Sequence, residues 1–166
     1  MMDVIFQIIL IFAAFLTSLV AGLLFIFAVV VMPGIKKLGD REFIKTFQVI
    51  DGIIQNNQPL FLIVWIGSFV CLVIAALLSI VVLSGIDRSL LFLAAFIVIF
   101  GVQLPTVLIN IPLNNRIQAC EVDRIDDPTC SQTRQDFEER WNRWNSIRAI
   151  FASFATLLLL VLLYSL

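Results

Sequence analysis

The chain alternates between long runs of apolar residues and shorter polar stretches. Four apolar runs cover residues 4–32, 60–83, 89–112 and 145–166. Each is long enough to cross the hydrocarbon core of a bilayer as an α-helix, which takes roughly 20 residues. The pattern predicts an all-α integral membrane protein: a bundle of four transmembrane helices that forms one domain over residues 1–166.

The first apolar run is interpreted as an uncleaved transmembrane helix rather than a signal peptide. It is too long for the apolar part of a signal peptide, no basic segment precedes it, and no small-residue cleavage site follows it. Pro33-Gly34 is expected to end this helix. The short turn at residues 84–88 predicts that the second and third spans run antiparallel beside each other.

The third run contains a proline and several polar residues. Pro105 removes a backbone hydrogen bond and predicts a distorted helix at this point. Gln103, Thr106 and Asn110 lie close to it in the chain. An amide without a partner in hydrocarbon is costly, so these side chains are expected to face the bundle. These polar residues have two interpretations. They form hydrogen bonds that join the helices, or they line a polar pocket.

The polar segment between the first and second runs contains a helical pattern. Phe43, Phe47, Ile50 and Ile54 recur at helical spacing, and Asp40 is a candidate N-cap. The pattern predicts a short amphipathic helix between the first two spans. It is expected to lie on the membrane surface or to pack over the mouth of the bundle, and the two arrangements are compatible.

Composition agrees with a membrane protein and excludes several kinds of site. The sequence is 61% hydrophobic with a mean hydropathy of +1.05, and only 14% of it is charged. Its net charge of −1 gives no reason to expect a nucleic-acid partner, whereas lipid is an expected one. The chain has no histidine, which excludes His-ligated haem or zinc and Ser-His or Cys-His catalysis. The acidic connector has no EF-hand spacing, so no metal site is predicted.

Four spans place the two long connectors, residues 33–58 and 113–140, on one side of the membrane and both termini on the other. Of the 11 Lys and Arg, all but Arg88 lie on the connector side, which the positive-inside rule makes cytoplasmic. Of the 12 Asp and Glu, all but Asp3 and Asp87 lie there as well, so the charge count is confounded.

Two cysteines give the opposite indication for the membrane side. Cys120 and Cys130 lie ten positions apart in the second connector, a spacing that suits a disulfide. A disulfide persists in an oxidising compartment, so this pair favours an extracytoplasmic position for the long connectors. Two free thiols are the alternative.

Five short pieces of sequence, in this order and spacing, resemble a known family. They are Val31-Met32-Pro33, Phe47-Gln48-Val49-Ile50-Asp51, Pro59-Leu60-Phe61, Asn110-Ile111-Pro112-Leu113-Asn114-Asn115, and Trp141-x-x-Trp144-Asn145-x-x-Arg148. The chain resembles the anthrone oxygenase-like family of small four-helix membrane proteins, known in bacteria largely as a domain of unknown function.

The resemblance implies a four-helix bundle. In some members it also implies oxidation of anthrones to anthraquinones by molecular oxygen, without a metal or flavin cofactor. Where the family commonly has a histidine after the asparagine of the fourth-helix motif, this chain has Ser146, and the usual asparagine of the amphipathic segment is Asp51. The missing imidazole counts against catalysis by the family's route, so the sequence leaves open whether the protein is an enzyme.

The polar residues of these pieces come together at one end of the predicted bundle. Their structural interpretation is that the tryptophans mark the membrane interface, Arg148 reaches towards it, and Asp51 and Asn114 cap helices or pair with Arg148. Their functional interpretation is a polar-lidded pocket for a small, flat, hydrophobic aromatic ligand. The candidate catalytic residues are Asp51 and Arg148, and the candidate ligand-binding residues are Gln48, Asn110, Asn114, Trp141, Trp144, Asn145 and Arg148.

A function without catalysis is the alternative. The chain would then be an accessory or structural subunit of a larger membrane protein complex, with a membrane-protein partner. Gly22, Ala94, Ala95 and Gly101 are small enough for close helix contact, inside the bundle or with that partner.

Overall fold

The computed structural model describes residues 2–166, which form five long helices. We number them α1 (Met2–Ile35), α2 (Asp40–Gln55), α3 (Pro59–Val82), α4 (Gly85–Gln118) and α5 (Asp127–Ser165). A 3₁₀ turn, Val122–Arg124, lies between α4 and α5. The described residues contain no strand, and α1, α3, α4 and α5 are long and apolar enough to cross a membrane. The predicted all-α class and four-helix membrane bundle are confirmed.

The helices extend beyond the apolar runs. α4 continues to Gln118, and α5 begins at Asp127, well before the apolar part of that helix. The start of α5 is stabilised by Asp126, whose side chain accepts a hydrogen bond from the Thr129 amide at 3.1 Å. Hydrogen bonds from the Thr129 side chain and from its amide lower the pKa of Asp126. At the opposite end of the bundle, only residues 83 and 84 separate α3 from α4.

π-helical turns carry the helices past their prolines. Phe27–Val31 precedes Pro33, while Ile97–Gln103 and Thr106–Asn110 flank Pro105. Such wider turns accommodate a break in the regular hydrogen-bond ladder and are frequent at functional sites. The predicted distortion at Pro105 therefore takes the form of two π-helical turns. α1 ends at Ile35, one residue after the Pro33-Gly34 pair that was expected to end it.

The end of the bundle near the α3–α4 connection is closely packed. α1 packs along α3 and α5, α4 packs along α5, and α3 meets α4 close to their connection. All four helices contribute small side chains, which let the backbones approach closely. These include Ala13, Ala75, Ala94 and Ala155, all 0% exposed.

The two glycines considered for helix contact have different surroundings. A Cβ atom on Gly101 would lie 2.7–2.9 Å from three side-chain atoms of Phe151, so α4 and α5 approach closely at this point. A Cβ atom on Gly22 would meet nothing within 4 Å. Gly101 therefore serves packing inside the bundle, whereas Gly22 lies on its outer surface.

α2 covers the other end of the bundle. Its buried face consists of Phe43, Ile44, Phe47 and Asp51. The Phe47 ring lies 4.6 Å from that of Phe137 and 5.4 Å from that of Trp141, both on α5. The N-cap is Gly39, whose amide donates to Glu42 at 3.1 Å. The prediction of Asp40 as N-cap is wrong, because its carboxylate instead accepts a hydrogen bond from Arg134 at 3.0 Å.

Polar contacts fasten this cover to the connectors. Arg134 on α5 donates to the carbonyl oxygens of Lys36 and Leu38, at 2.8 and 2.9 Å. Lys45 forms an ion pair with Asp123 at 2.5 Å, which lowers the pKa of Asp123. α2 is thus held over the bundle from both connectors.

The predicted Cys120–Cys130 disulfide is not supported. Both residues are free thiols that pack in or against the hydrophobic cluster beneath α2. Cys130 is buried at 1% exposure within that cluster, while Cys120 is half-buried at its margin. Burial raises the pKa of Cys120, which disfavours its reactive thiolate form.

Candidate functional site

A cavity of about 260 Å³ lies inside the bundle, under α2. All five helices contribute to its walls, which are mostly apolar and carry a few polar side chains. The residues around it are Leu23, Leu24, Phe27, Phe47, Asp51, Ile54, Phe61, Leu62, Trp65, Thr106, Asn110, Ile111, Asn114, Trp141, Asn145 and Arg148. An apolar pocket with a small number of polar groups is the usual form of a small-molecule site.

Arg148 is the only cation among the described residues that line the cavity. Its side chain is 4% exposed and donates to Thr106 Oγ1 at 2.9 Å and to Asn145 Oδ1 at 3.1 Å. Among residues 2–166, no carboxylate forms an ion pair with it, and its Nε has no protein partner. Burying a charge without a counterion is expensive, so this guanidinium is well suited to bind an anionic or strongly polarised oxygen.

Asn110 adds a second unsatisfied polar group to the same cavity. It lies in the π-helical turn after Pro105 and is 2% exposed. Neither Nδ2 nor Oδ1 has a hydrogen-bond partner in the described part of the chain. Each unsatisfied group costs about 1–3 kcal/mol, and a ligand that bonded to it would remove that cost.

The roof of the cavity is a network of side-chain amides around Asp51. Asp51 is 3% exposed and accepts hydrogen bonds from Asn114 at 2.7 Å, Gln55 at 2.8 Å and Gln118 at 3.0 Å. The Oδ1 atom of Asn114 in turn accepts from the Trp141 indole at 2.7 Å. Because these bonds join α2, α4 and α5, the network closes the cavity on the side of the polar connectors.

Aromatic rings line opposite walls of the cavity. On one side, Trp141 lies 5.8 Å from Phe27, measured between ring centroids. On the other, Phe61 stacks on Trp65 at 5.6 Å, with 18° between the ring planes. The Trp65 indole donates to Gln103 Oε1 at 3.1 Å. Flat rings around an apolar space suit a flat aromatic ligand.

The structure brings most of the predicted site residues together. Asp51, Asn110, Asn114, Trp141, Asn145 and Arg148 all line the cavity. It does not bring Gln48 or Trp144 to the cavity. Gln48 instead donates to the carbonyl oxygens of Ile117 and Cys120, at 2.8 and 2.9 Å, and so fastens α2 to the end of α4.

The structure does not pair Asp51 with Arg148, and it places Ser146 away from the cavity. Asp51 and Arg148 do not pair: the carboxylate bonds to amides in the roof, while the guanidinium bonds to Thr106 and Asn145. Ser146 lies outside the cavity, in a separate surface groove beside Met32 and Asn142. A histidine at position 146 would therefore not face the cavity, and its absence leaves the cavity's own polar groups intact.

Sequence reasoning missed the contribution of α3 and part of that of α1. Phe61 and Trp65 were not recognised as cavity residues, because they lie in an apolar run in which nearly every residue could contact lipid. The usable signal was Trp65 itself, because an indole N–H needs a hydrogen-bond partner when the ring is removed from water. Thr106 was noted for its polarity, but its bond to Arg148 depends on how α4 and α5 pack.

The fold and cavity define a small four-helix membrane protein with a buried, polar-ended aromatic pocket. No cluster of three or more His, Cys, Asp or Glu that could hold a metal ion occurs between residues 2 and 166. A family model described as anthrone oxygenase matches residues 60–158. The chain belongs to the anthrone oxygenase family. No curated protein and no solved structure matches it.

The matched range covers the α3, α4 and α5 walls of the cavity, from Phe61 to Arg148. α2, with Asp51, precedes it. The buried guanidinium and the unpartnered Asn110 therefore lie in the part of the chain that the family model matches, whereas Asp51 lies outside it.

Proposed function

We propose that the cavity binds a flat aromatic ketone of the anthrone type and supports its oxidation by molecular oxygen. One observation supports the proposal most strongly. Arg148 Nε and the Nδ2 and Oδ1 atoms of Asn110 are all buried without a hydrogen-bond partner, and both residues line the same aromatic cavity. The ring system would lie among Trp141, Phe27 and Phe61, and the ketone oxygen would point at Arg148.

The chemistry needs a proton acceptor and a stabilised oxyanion. Loss of a proton from the ring methylene gives an enolate, whose negative charge resides largely on the former ketone oxygen. Arg148 and Asn110 would stabilise this oxyanion, as preorganised donors do where charge develops. Asp51, the one acid that lines the cavity in the described part of the chain, would accept the proton.

Molecular oxygen is the oxidant in this proposal. It takes electrons from the enolate, and one of its atoms is bonded to the former methylene carbon, which becomes the second ketone. The other oxygen atom leaves as water together with the two methylene hydrogens. Anthrone and one O₂ therefore give anthraquinone and one H₂O, and no further reductant is consumed.

An oxygen-consumption assay with anthrone, coupled to absorbance of the quinone product, tests this proposal. Replacing Asn110 with Leu removes a buried group that faces the ligand and is expected to lower kcat by about 10²-fold, the order seen for one oxyanion donor. Asn142→Leu is the matched control, because Asn142 faces the surface groove rather than the cavity. Equal rates in both variants, or no oxidation above the spontaneous rate by the unaltered protein, would contradict the proposal.

A further inference from the structure

The cavity is closed unequally on its two sides. Towards the polar connectors, the Asp51 network and α2 cover it with hydrogen bonds. Towards the surface that faces lipid, its wall includes Ile111 of α4, which is 44% exposed, and the half-buried Leu62 of α3. A residue that both lines the cavity and reaches the outer surface marks the edge of an opening.

The arrangement of α3 and α4 accounts for this opening. The two helices pack together near their short connection and separate towards α2. Within residues 2–166, one side-chain hydrogen bond joins α3 to α4: the Trp65 indole donates to Gln103 at 3.1 Å. α2 packs on α5 and on the end of α4, and it leaves the first turns of α3 free. The gap therefore lies between the start of α3 and the second half of α4, with Trp65 at its base.

The chemistry of the gap fits entry from hydrocarbon. Residues of α3 and α4 beside it are apolar and exposed, as lipid contacts should be: Leu60, Ile63, Leu104, Val107 and Ile111. A flat, hydrophobic ligand partitions into the bilayer, where its concentration far exceeds that in water. We propose that such a ligand enters and leaves the cavity sideways from the bilayer, between α3 and α4, and that Trp65 controls how far this gap opens. The inference rests on the proposed function, since it concerns the ligand of the same cavity.

A controlling residue at an opening has a kinetic signature. A change at the opening alters association and dissociation in parallel and leaves the equilibrium constant nearly unchanged, whereas a change to a contact in the bound state acts mainly on dissociation. Trp65→Phe keeps an aromatic ring beside Phe61 but removes the bond to Gln103. Loss of one hydrogen bond of ordinary strength lowers the barrier to opening enough to change a rate constant about fivefold. The association and dissociation rate constants are therefore both expected to rise by roughly that factor.

Binding kinetics of anthraquinone to the full chain in phosphatidylcholine vesicles, followed by quenching of tryptophan fluorescence, test the route. Ile111→Trp places a bulky side chain at the edge of the gap and is expected to slow both rates together. Leu108→Trp is the matched control on the same helix, since Leu108 is 62% exposed and does not line the cavity. It is expected to leave both rates as they are.

Gln48→Ala distinguishes entry from water. It loosens α2 without changing the cavity wall and is expected to leave both rates unchanged. Faster binding in Gln48→Ala, or equal rates for Ile111→Trp and Leu108→Trp, would overturn lateral entry while ligand binding itself stood. Absence of any saturable quenching would instead contradict the proposed function.

Discussion

The two ends of the bundle are built from the same apolar helices but are packed differently. Near the α3–α4 connection, alanines on all four spanning helices are fully buried and the helices lie close together. Under α2, α1 and α4 contain π-helical turns, and the four helices enclose a cavity with a buried arginine. We infer that the end near the α3–α4 connection provides most of the stability, and that the α2 end is packed less closely because it contains the proposed site.

The largest expected effect at the cavity end concerns Asp51. Asp51→Asn removes the proposed proton acceptor but keeps a side chain of the same size, so turnover is expected to fall by about 10²–10⁴-fold. Ligand affinity should change far less, because Arg148 and Asn110 are untouched. Rapid-mixing kinetics of anthrone oxidation, together with equilibrium binding of anthraquinone, measure the two quantities. A parallel loss of affinity and turnover would assign Asp51 to the roof alone.

The close-packed part of the bundle should respond in stability. Gly101→Ala places a methyl group against Phe151 and is expected to destabilise the protein by about 1–3 kcal/mol through overpacking. Gly22→Ala, in open space on α1, is the matched control and should be neutral or slightly stabilising. Thermal unfolding in one detergent compares them. Similar melting temperatures would show that α4 and α5 have room to adjust.

The smallest expected effect concerns how α2 is held in place. Lys45 lowers the pKa of Asp123, so the contribution of this ion pair is complete above the unfolded pKa and is lost as pH falls through the lowered folded value. Amide protection of α2 should therefore be constant near neutral pH and decrease below about pH 4. Hydrogen exchange corrected for intrinsic rates measures it. In Lys45→Met, this pH dependence should be weaker; an unchanged pH profile would exclude the pair as its source.

The fold was largely predictable because apolar length and helical spacing report burial directly. Four runs of sufficient length predicted the spanning helices, and Phe43 and Phe47 predicted α2. The π-helical turn Phe27–Val31, which accommodates Pro33 just before the end of α1, was not predicted, because the apolar pattern is the same for both kinds of helical turn. α5 begins at Asp127, where Asp126 caps it and Pro128 lies in its first turn.

The site was predictable only in part. Asn145 and Arg148 were recognised because helical spacing places them with Trp141 on one face of α5. Trp65 was missed because its partner Gln103 is on another helix. The pairing of Asp51 with Arg148 was wrong because opposite charge alone does not specify position: three amides already surround the carboxylate.

The central claim is that Arg148 is retained for a ligand rather than for stability. Thermal unfolding and anthraquinone titration of Arg148→Met, measured in the same detergent without and with ligand, test it most directly. Removing a buried charge that has no counterion should leave the melting temperature of the ligand-free protein unchanged or raised. Affinity should fall by about 10²-fold or more, as for loss of a charged hydrogen-bonding partner. A lower melting temperature with unchanged affinity would contradict the claim and make Arg148 a structural residue.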